Sequence, residues 1–156
     1  MEKASIERLL QSLRSSDETI RDQATEELWR IWFQQKGVYG AQLLMQSQTL
    51  LQAGNVQQAE ELLTEITQHQ PDFTEAWNRR AVLHYTQGNY WQAVSDCQKA
   101  LDLTPYHFGA LHGLGLCHAA LGNYTAAIQS FRKSLEIQPH ALINQRLILE
   151  CTAKLS

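Results

Sequence analysis

The segment GALHGLGLCHAALG, residues 109–122, sets Gly109, Gly113, Gly115 and Gly122 around a Cys117–His118 pair. Dense glycines let a backbone close on a phosphate, and a thiol beside an imidazole offers two metal ligands. The spacing fits neither chemistry. The glycines read G-x-x-x-G-x-G, unlike G-x-G-x-x-G or G-x-x-x-x-G-K-S/T, and no strand leads into them. Residues 106–131 also contain no lysine, so a phosphate would lack its usual cation. His112, Cys117 and His118 stand five and one apart, whereas two ligands on one helix face need a spacing of about four. Cys97, Cys117 and Cys151 are odd in number and form no C-x-x-C pair, which reads as reduced, buried thiols. Carboxylates such as Asp96 and Glu136 carry no signal alone in a chain with 16 acids. No nucleophile elbow, zincin helix or catalytic-cysteine signature is present. The expectation is no catalytic residue, no metal and no cofactor: not an enzyme.

What, then, must position these residues? The 156-residue chain is 44% hydrophobic and 19% charged, the composition of one globular domain with a real core. A net charge of −3 points away from nucleic acid. No apolar run approaches the roughly 20 residues of a membrane span, and the amphipathic start MEKASIERLLQSLRSSDE has no signal-peptide core, so no membrane insertion and a cytoplasmic location are expected.

Three prolines, Pro71, Pro105 and Pro139, are spaced 34 and 34. Gly54-Asn55, Gly88-Asn89 and Gly122-Asn123 recur at that interval, as do Ala59, Ala93 and Ala127. A shared offset across several residue types is an internal repeat. In each unit Gly-Asn ends one helix and turns the chain, and the proline ends the second. Apolar residues at three- and four-residue spacing, such as Leu43, Leu44, Leu50 and Leu51, give each helix a face to bury. Such two-helix units cannot bury those faces alone and must stack.

The repeat resembles the tetratricopeptide (TPR) family, whose pattern runs Trp, Leu-Gly, Tyr, Ala, Phe, Pro. The third unit carries Leu111, Leu114-Gly115, His118, Ala127, Phe131 and Pro139. The second carries Trp77, Arg80-Ala81, His84, Ala93, Cys97 and Pro105, and the first Leu43, Gln46-Ser47, Leu50, Ala59, Leu63 and Pro71. Gln46, Arg80, His84 and His118 depart from the pattern. The resemblance implies an all-α fold: a right-handed superhelical solenoid of antiparallel helix pairs, nine helices in one stack. Three units, 40–71, 74–105 and 108–139, fill residues 37–139. Residues 1–36 resemble a HEAT-type helical hairpin, with Ser15 and Glu18 at capping-box spacing. Residues 140–156 form one capping helix, whose Leu142, Leu149 and Cys151 would cover the end of the stack. The whole chain looks like small bacterial TPR proteins, most of all of the cyanobacterial and plastid lineage, which often serve as scaffolding or assembly factors.

The resemblance also implies a concave groove lined by the first helix of each unit. Carried over, that groove presents Leu44, Met45, Gln48 and Leu51, then Glu75, Asn78, Arg79, Val82 and Tyr85. Gly109, His112, Gly113 and Leu116 follow, with Arg146 and Leu147 from the capping helix. Apolar places beside Asn78, Arg79 and Arg146 suit a peptide with hydrophobic anchors and a carboxylate. The lysine–asparagine clamp of some family members is replaced by Leu44, Gln48, Gly109 and Gly113, which disfavours heat-shock chaperone tails as partners. The expected function is a protein-interaction module, adaptor or scaffold, for an unidentified protein or peptide. The alternative is a structural subunit of a larger, for instance photosynthetic, complex, held by its outer faces and the region Trp29–Phe33. Trp29, Trp32 and Phe33 read either as packing between the hairpin and the first unit or as a second contact patch. Gly109 and Gly113, four apart on one face, read either as clearance for a partner or as space filled by an aromatic of this chain.

Overall fold

The computed structural model describes residues 2–156, with side chains from Lys3 onward. Among these residues run nine α-helices and no strand. They are α1 (Glu2–Ser12), α2 (Glu18–Phe33), α3 (Gly37–Gln52), α4 (Val56–His69), α5 (Thr74–Thr86), α6 (Tyr90–Leu103), α7 (Phe108–Ala120), α8 (Tyr124–Ile137) and α9 (Leu142–Leu155). Helices α3 to α8 pair as three antiparallel hairpins, each packed on the next, and α9 lies on α8. The fold is a helical solenoid.

The repeated residues make the same bonds three times. Gly54, Gly88 and Gly122 all have φ between 77° and 82°, the left-handed region that glycine enters without a Cβ penalty. The following asparagine N–H reaches back to the carbonyl of Leu50, His84 or His118 at 2.8 Å, and the glycine N–H to Leu51, Tyr85 or Ala119. This pair of bonds is a Schellman stop, and it satisfies carbonyls that the helix end would otherwise orphan. At the other end of each unit, Gln70, Thr104 and Gln138 adopt φ of −130°, −137° and −120°. Each precedes a proline, whose ring excludes the helical conformation there.

Ala59, Ala93 and Ala127 are fully buried where paired helices approach most closely. Gly115 serves the same purpose on α7, because Phe131 of α8 packs directly on its backbone. Arg80, at the family's leucine place, enters a different bond. Its Nε and Nη2 donate to the two carboxylate oxygens of Asp96, each at 2.8 Å. Its plane also lies 5.1 Å over the Trp77 ring. The ion pair ties α5 to α6, and Asp96 holds the guanidinium pKa above its ordinary value, chiefly through the hydrogen bond.

Two details at the ends differ from expectation. The cap of α2 is Asp17, which accepts the N–H of Thr19 at 2.9 Å, while Ser15 accepts from the N–H of Asp17. A carboxylate two residues before the donor N–H reaches it without the longer loop a Ser15 cap would need. On α9, Cys151 is buried against Ala127 and Phe131, but Leu142 and Leu149 are 73% and 70% exposed. Helix α9 has the register of a fourth first-helix: Gln145 donates to the Pro139 carbonyl as Trp77 donates to that of Pro71. Leu149 stands 34 residues after Gly115, so it faces the place of a second helix.

The hairpin α1–α2 does not meet the solenoid mainly at the first unit. Ile6, Leu13, Ala24, Leu28 and Trp32 form one core with Phe108, joined by Tyr106 and Ile137. Arg14 donates to the Glu136 carbonyl at the end of α8. At the other end of α2, Gln35 donates to the Asp72 carbonyl and Lys36 pairs with the Asp72 carboxylate. The hairpin is therefore a strap across the unit junctions near 72, 106 and 137.

Candidate binding groove

Position along the repeat sorts the first-helix face into rungs 34 residues apart. Toward the N-terminal ends of the helices stand Glu75 and Gly109, then Leu44, Asn78, His112 and Arg146. Next come Met45, Arg79 and Gly113, then Gln48, Val82 and Leu116, and finally Leu51 and Tyr85.

The N-terminal rungs are occupied by the chain itself. Glu75, 2% exposed, accepts from Asn78 Nδ2 at 3.2 Å and from Arg79 Nε at 3.3 Å. It also meets Nε2 of the fully buried His107 at 3.1 Å. His107 Nδ1 accepts the Ala110 N–H, capping α7, which assigns the ring proton to Nε2, facing Glu75. A buried carboxylate without such donors would cost several kcal/mol, on the order of a lost charge pair. Over this cluster lies the aromatic ridge of α2. Trp32 stacks on His107 with centroids 4.0 Å apart, and Trp29 meets His107 and Phe108 edge-on at 5.3 and 5.4 Å. Arg79 sits 5.4 Å from the centroid of Phe33, a cation–π contact of about 0.5–1 kcal/mol at a partly exposed site.

Gly109 has its reason here. A Cβ at that position would stand 2.5 Å from Trp29 Cη2, so the indole fills the space the missing side chain leaves. Gly113 is different: a Cβ there would meet only Cys97 Sγ, at an ordinary 3.5 Å. His112 faces the capping helix, its Nδ1 2.7 Å from Asn144 Oδ1, and Asn144 in turn donates to Ser134. Leu44 is fully buried and Asn78 is 6% exposed, so both belong to the packed interior. Trp32 is 3% exposed, with Trp29 and Phe33 half-buried, so the ridge faces inward.

The remaining rungs are open. Met45 is 59% and Val82 54% exposed, Gln48 is exposed, and Leu51, Tyr85 and Leu116 are half-buried beside them. Tyr85 packs on Tyr90 with ring centroids 5.5 Å apart, and burial pushes its hydroxyl pKa up. Arg146 is exposed and pairs with Glu150 on its own helix.

The thiols and imidazoles of the opening segment sit inside the stack. Cys97, Cys117 and Cys151 are free and buried. The Cys97 thiol pKa is pushed up by its hydrogen bond with Cys117 and by burial, which makes it a poor nucleophile. Burial lowers the His118 pKa, and its Nδ1 is buried without a partner. Among the described residues no three His, Cys, Asp or Glu side chains gather where a metal could bind. No described helix is long and apolar enough to cross a membrane.

Residues 72–140 match the family model described as tetratricopeptide repeat. Residues 72–140 thus carry tetratricopeptide repeats. A TPR repeat-containing protein of Rhizobium etli is 44% identical over 54 residues, 35% of this chain and 26% of that protein. The chain thus spans about a quarter of the relative it matches. Among solved structures, the first TPR of Spaghetti (RPAP3), bound to the HSP90 peptide SRMEEVD, superposes with a TM-score of 0.70 at 19% identity. That likeness covers 72% of this chain and 90% of the other. The TPR2B domain of yeast Sti1, in complex with an Hsp70 peptide, gives a TM-score of 0.67 at 15% identity over 73% and 96%. At these identities the TPR structures establish the shared fold.

They also correct one expectation. The absence of the lysine–asparagine clamp at Leu44, Gln48, Gly109 and Gly113 does not disfavour heat-shock chaperone tails, since TPR domains of this architecture are held with HSP90 and Hsp70 peptides. Four side-chain identities do not decide what a groove accepts. Donors for a carboxylate remain on these same rungs, since both the Gln48 amide and the Arg146 guanidinium are exposed. The hairpin's seat was invisible to periodicity, because Trp29, His107 and Gly109 bear no repeat relation to one another. The available signal was Gly109 itself, an expensive helix residue where the preceding unit has Glu75.

Proposed function

We propose that the chain is a non-enzymatic protein-interaction module, an adaptor, scaffold or assembly factor of the cytoplasm, that holds a peptide or short helix along its concave TPR face. The reading is carried by one observation: Met45 and Val82 stay more than half exposed on successive first helices while the surrounding apolar residues are packed. A row of apolar side chains flanked by Gln48 and Tyr85 suits an extended or helical ligand with spaced hydrophobic anchors. Arg79 is engaged by Glu75 and Phe33, so it shapes the groove wall, and Arg146, exposed and paired with the exposed Glu150 of its own helix, is the guanidinium more open to an acidic group.

A second reading, a structural subunit held by its outer faces, is favoured by the exposed Leu142 and Leu149 of α9 rather than by Trp29–Phe33. One experiment separates them. Native lysate is passed over the wild-type chain, a Met45→Glu/Val82→Glu variant and a Leu149→Glu variant, and retained proteins are compared. Groove binding requires loss with the first variant alone, and a subunit role requires loss with the second. Three identical sets of retained proteins reject both.

A further inference from the structure

The groove reading above leaves the N-terminal rungs unexplained as a binding surface, because α2 already lies over them. Resting on that reading, we infer that the α1–α2 hairpin is a displaceable strap: α2 is an internal ligand of the TPR groove. Its release opens a seat for a partner's amphipathic helix carrying two aromatic residues three or four apart.

The occupant's chemistry is written in α2. Trp29 fills the space left by Gly109, Trp32 stacks on His107, and Phe33 receives Arg79. A helix that replaces α2 must supply the same ridge, one aromatic edge against a bare backbone and one ring under a guanidinium. Both residues it would meet, Gly109 and Arg79, are groove positions by the repeat register, so the strap sits where a ligand would.

The seat is also incompletely closed. The indole N–H of Trp32 is buried with no acceptor, a donor that docking leaves unsatisfied. A cleft of about 600 Å³ remains between the hairpin and the α6–α7 turn, lined by Ile6, Leu10, Trp32, Leu103 and Tyr106 among others. The units from α5 to α9 pack helix on helix along their lengths, whereas α2 meets α3 and α5 only slightly. Elements joined this way open at lower free energy than the rest of a fold. The link to α3 turns at Gly37, whose φ is 71° and where an added Cβ would meet nothing within 4 Å. A closed strap lowers the apparent affinity for any competing helix by the fraction of molecules that are open.

The test uses the full chain. A fluorescein-labelled synthetic peptide of residues 17–36 is titrated by anisotropy against wild type and against Trp29→Ala/Phe33→Ala, which vacates the ridge. The variant should bind the peptide at least about tenfold more tightly than wild type, the gain expected when a mostly closed site opens. A peptide bearing the same two alanines should bind neither. Equal affinities, or no binding by a variant that still melts cooperatively, overturn the strap. If the variant does not fold, hydrogen exchange of the wild type decides. Amides of α1 and α2 should exchange together, at least about tenfold faster than those of α5–α8. Uniform protection across both overturns the inference. Neither readout touches Met45 or Val82, so failure of the open-groove reading shows separately.

Discussion

Three glycines on α7 receive the same substitution and should answer with different signs. Alanine in a helix interior is about 1 kcal/mol better than glycine, before its Cβ touches anything. At Gly113 the new methyl meets only Cys97 Sγ at 3.5 Å, so most of that gain survives. Gly113→Ala should stabilise by about 0.5–1 kcal/mol. At Gly115 the methyl would come within 2.7 Å of Phe131 Cδ1 and Cζ, about 1 Å inside normal carbon contact. Phe131 is fully buried and cannot swing aside. Overpacking of this kind costs about 3 kcal/mol, which leaves a net loss of about 2 kcal/mol after the helix gain. At Gly109 the clash is with Trp29, which can leave with the hairpin, so Gly109→Ala should loosen α1–α2 while α3–α9 stay intact. Urea titrations followed by circular dichroism measure the first two, with unchanged m-values as the check on two-state behaviour. In melting temperature the expected shifts are up by about 1–4 °C for Gly113→Ala and down by about 4–8 °C for Gly115→Ala. Shifts of the same sign would refute the packing argument.

Arg80→Leu restores the family's leucine yet should destabilise, because buried Asp96 loses both guanidinium donors and keeps only the His84 imidazole, 3.8 Å away. The loss should be about 2–3 kcal/mol, at the low end for a buried pair since the Arg80 side chain is 19% exposed. Arg80→Leu/Asp96→Ala should recover most of it in the same denaturation assay, and a neutral single variant would contradict the ion-pair account. Burial holds the His118 pKa below its ordinary value, so the unfolded chain takes up that proton first as pH falls. Its contribution is fully present above about pH 6.5 and is lost below it. The wild-type urea midpoint should therefore drop between pH 7 and pH 5 more steeply than that of His118→Tyr, and parallel curves would exclude this role. Leu149→Glu should change stability by less than about 0.5 kcal/mol, as a surface substitution does, because the side chain is 70% exposed.

The solenoid was legible because its determinants are local or lie at a fixed offset. A glycine that must enter the left-handed region, a proline that must end a helix and an alanine that must sit under a neighbouring helix each leave the same residue type every 34 positions. Such marks say which residues share a rung. They do not say which rungs are covered, since covering depends on a segment outside the repeat. Leu44 and Asn78 both read as groove-facing by register, yet Leu44 is buried and Asn78 donates to Glu75. The capping leucines misled for the related reason that a first helix without a second keeps the apolar face meant for it. The hairpin was the hardest part, because its apolar face announces packing without a partner. What betrays the partner is a break in the repeat. Where the second unit has Glu75 the third has Gly109, and where the second unit has Phe73 at the helix cap the third has His107. A solenoid has no internal need for either change. Together they make room for one indole and stack another, and the imidazole supplies the donor that Glu75 needs beneath them. Departures from a repeat that cost helix stability therefore mark where something non-repetitive docks, and here that something is the chain's own second helix.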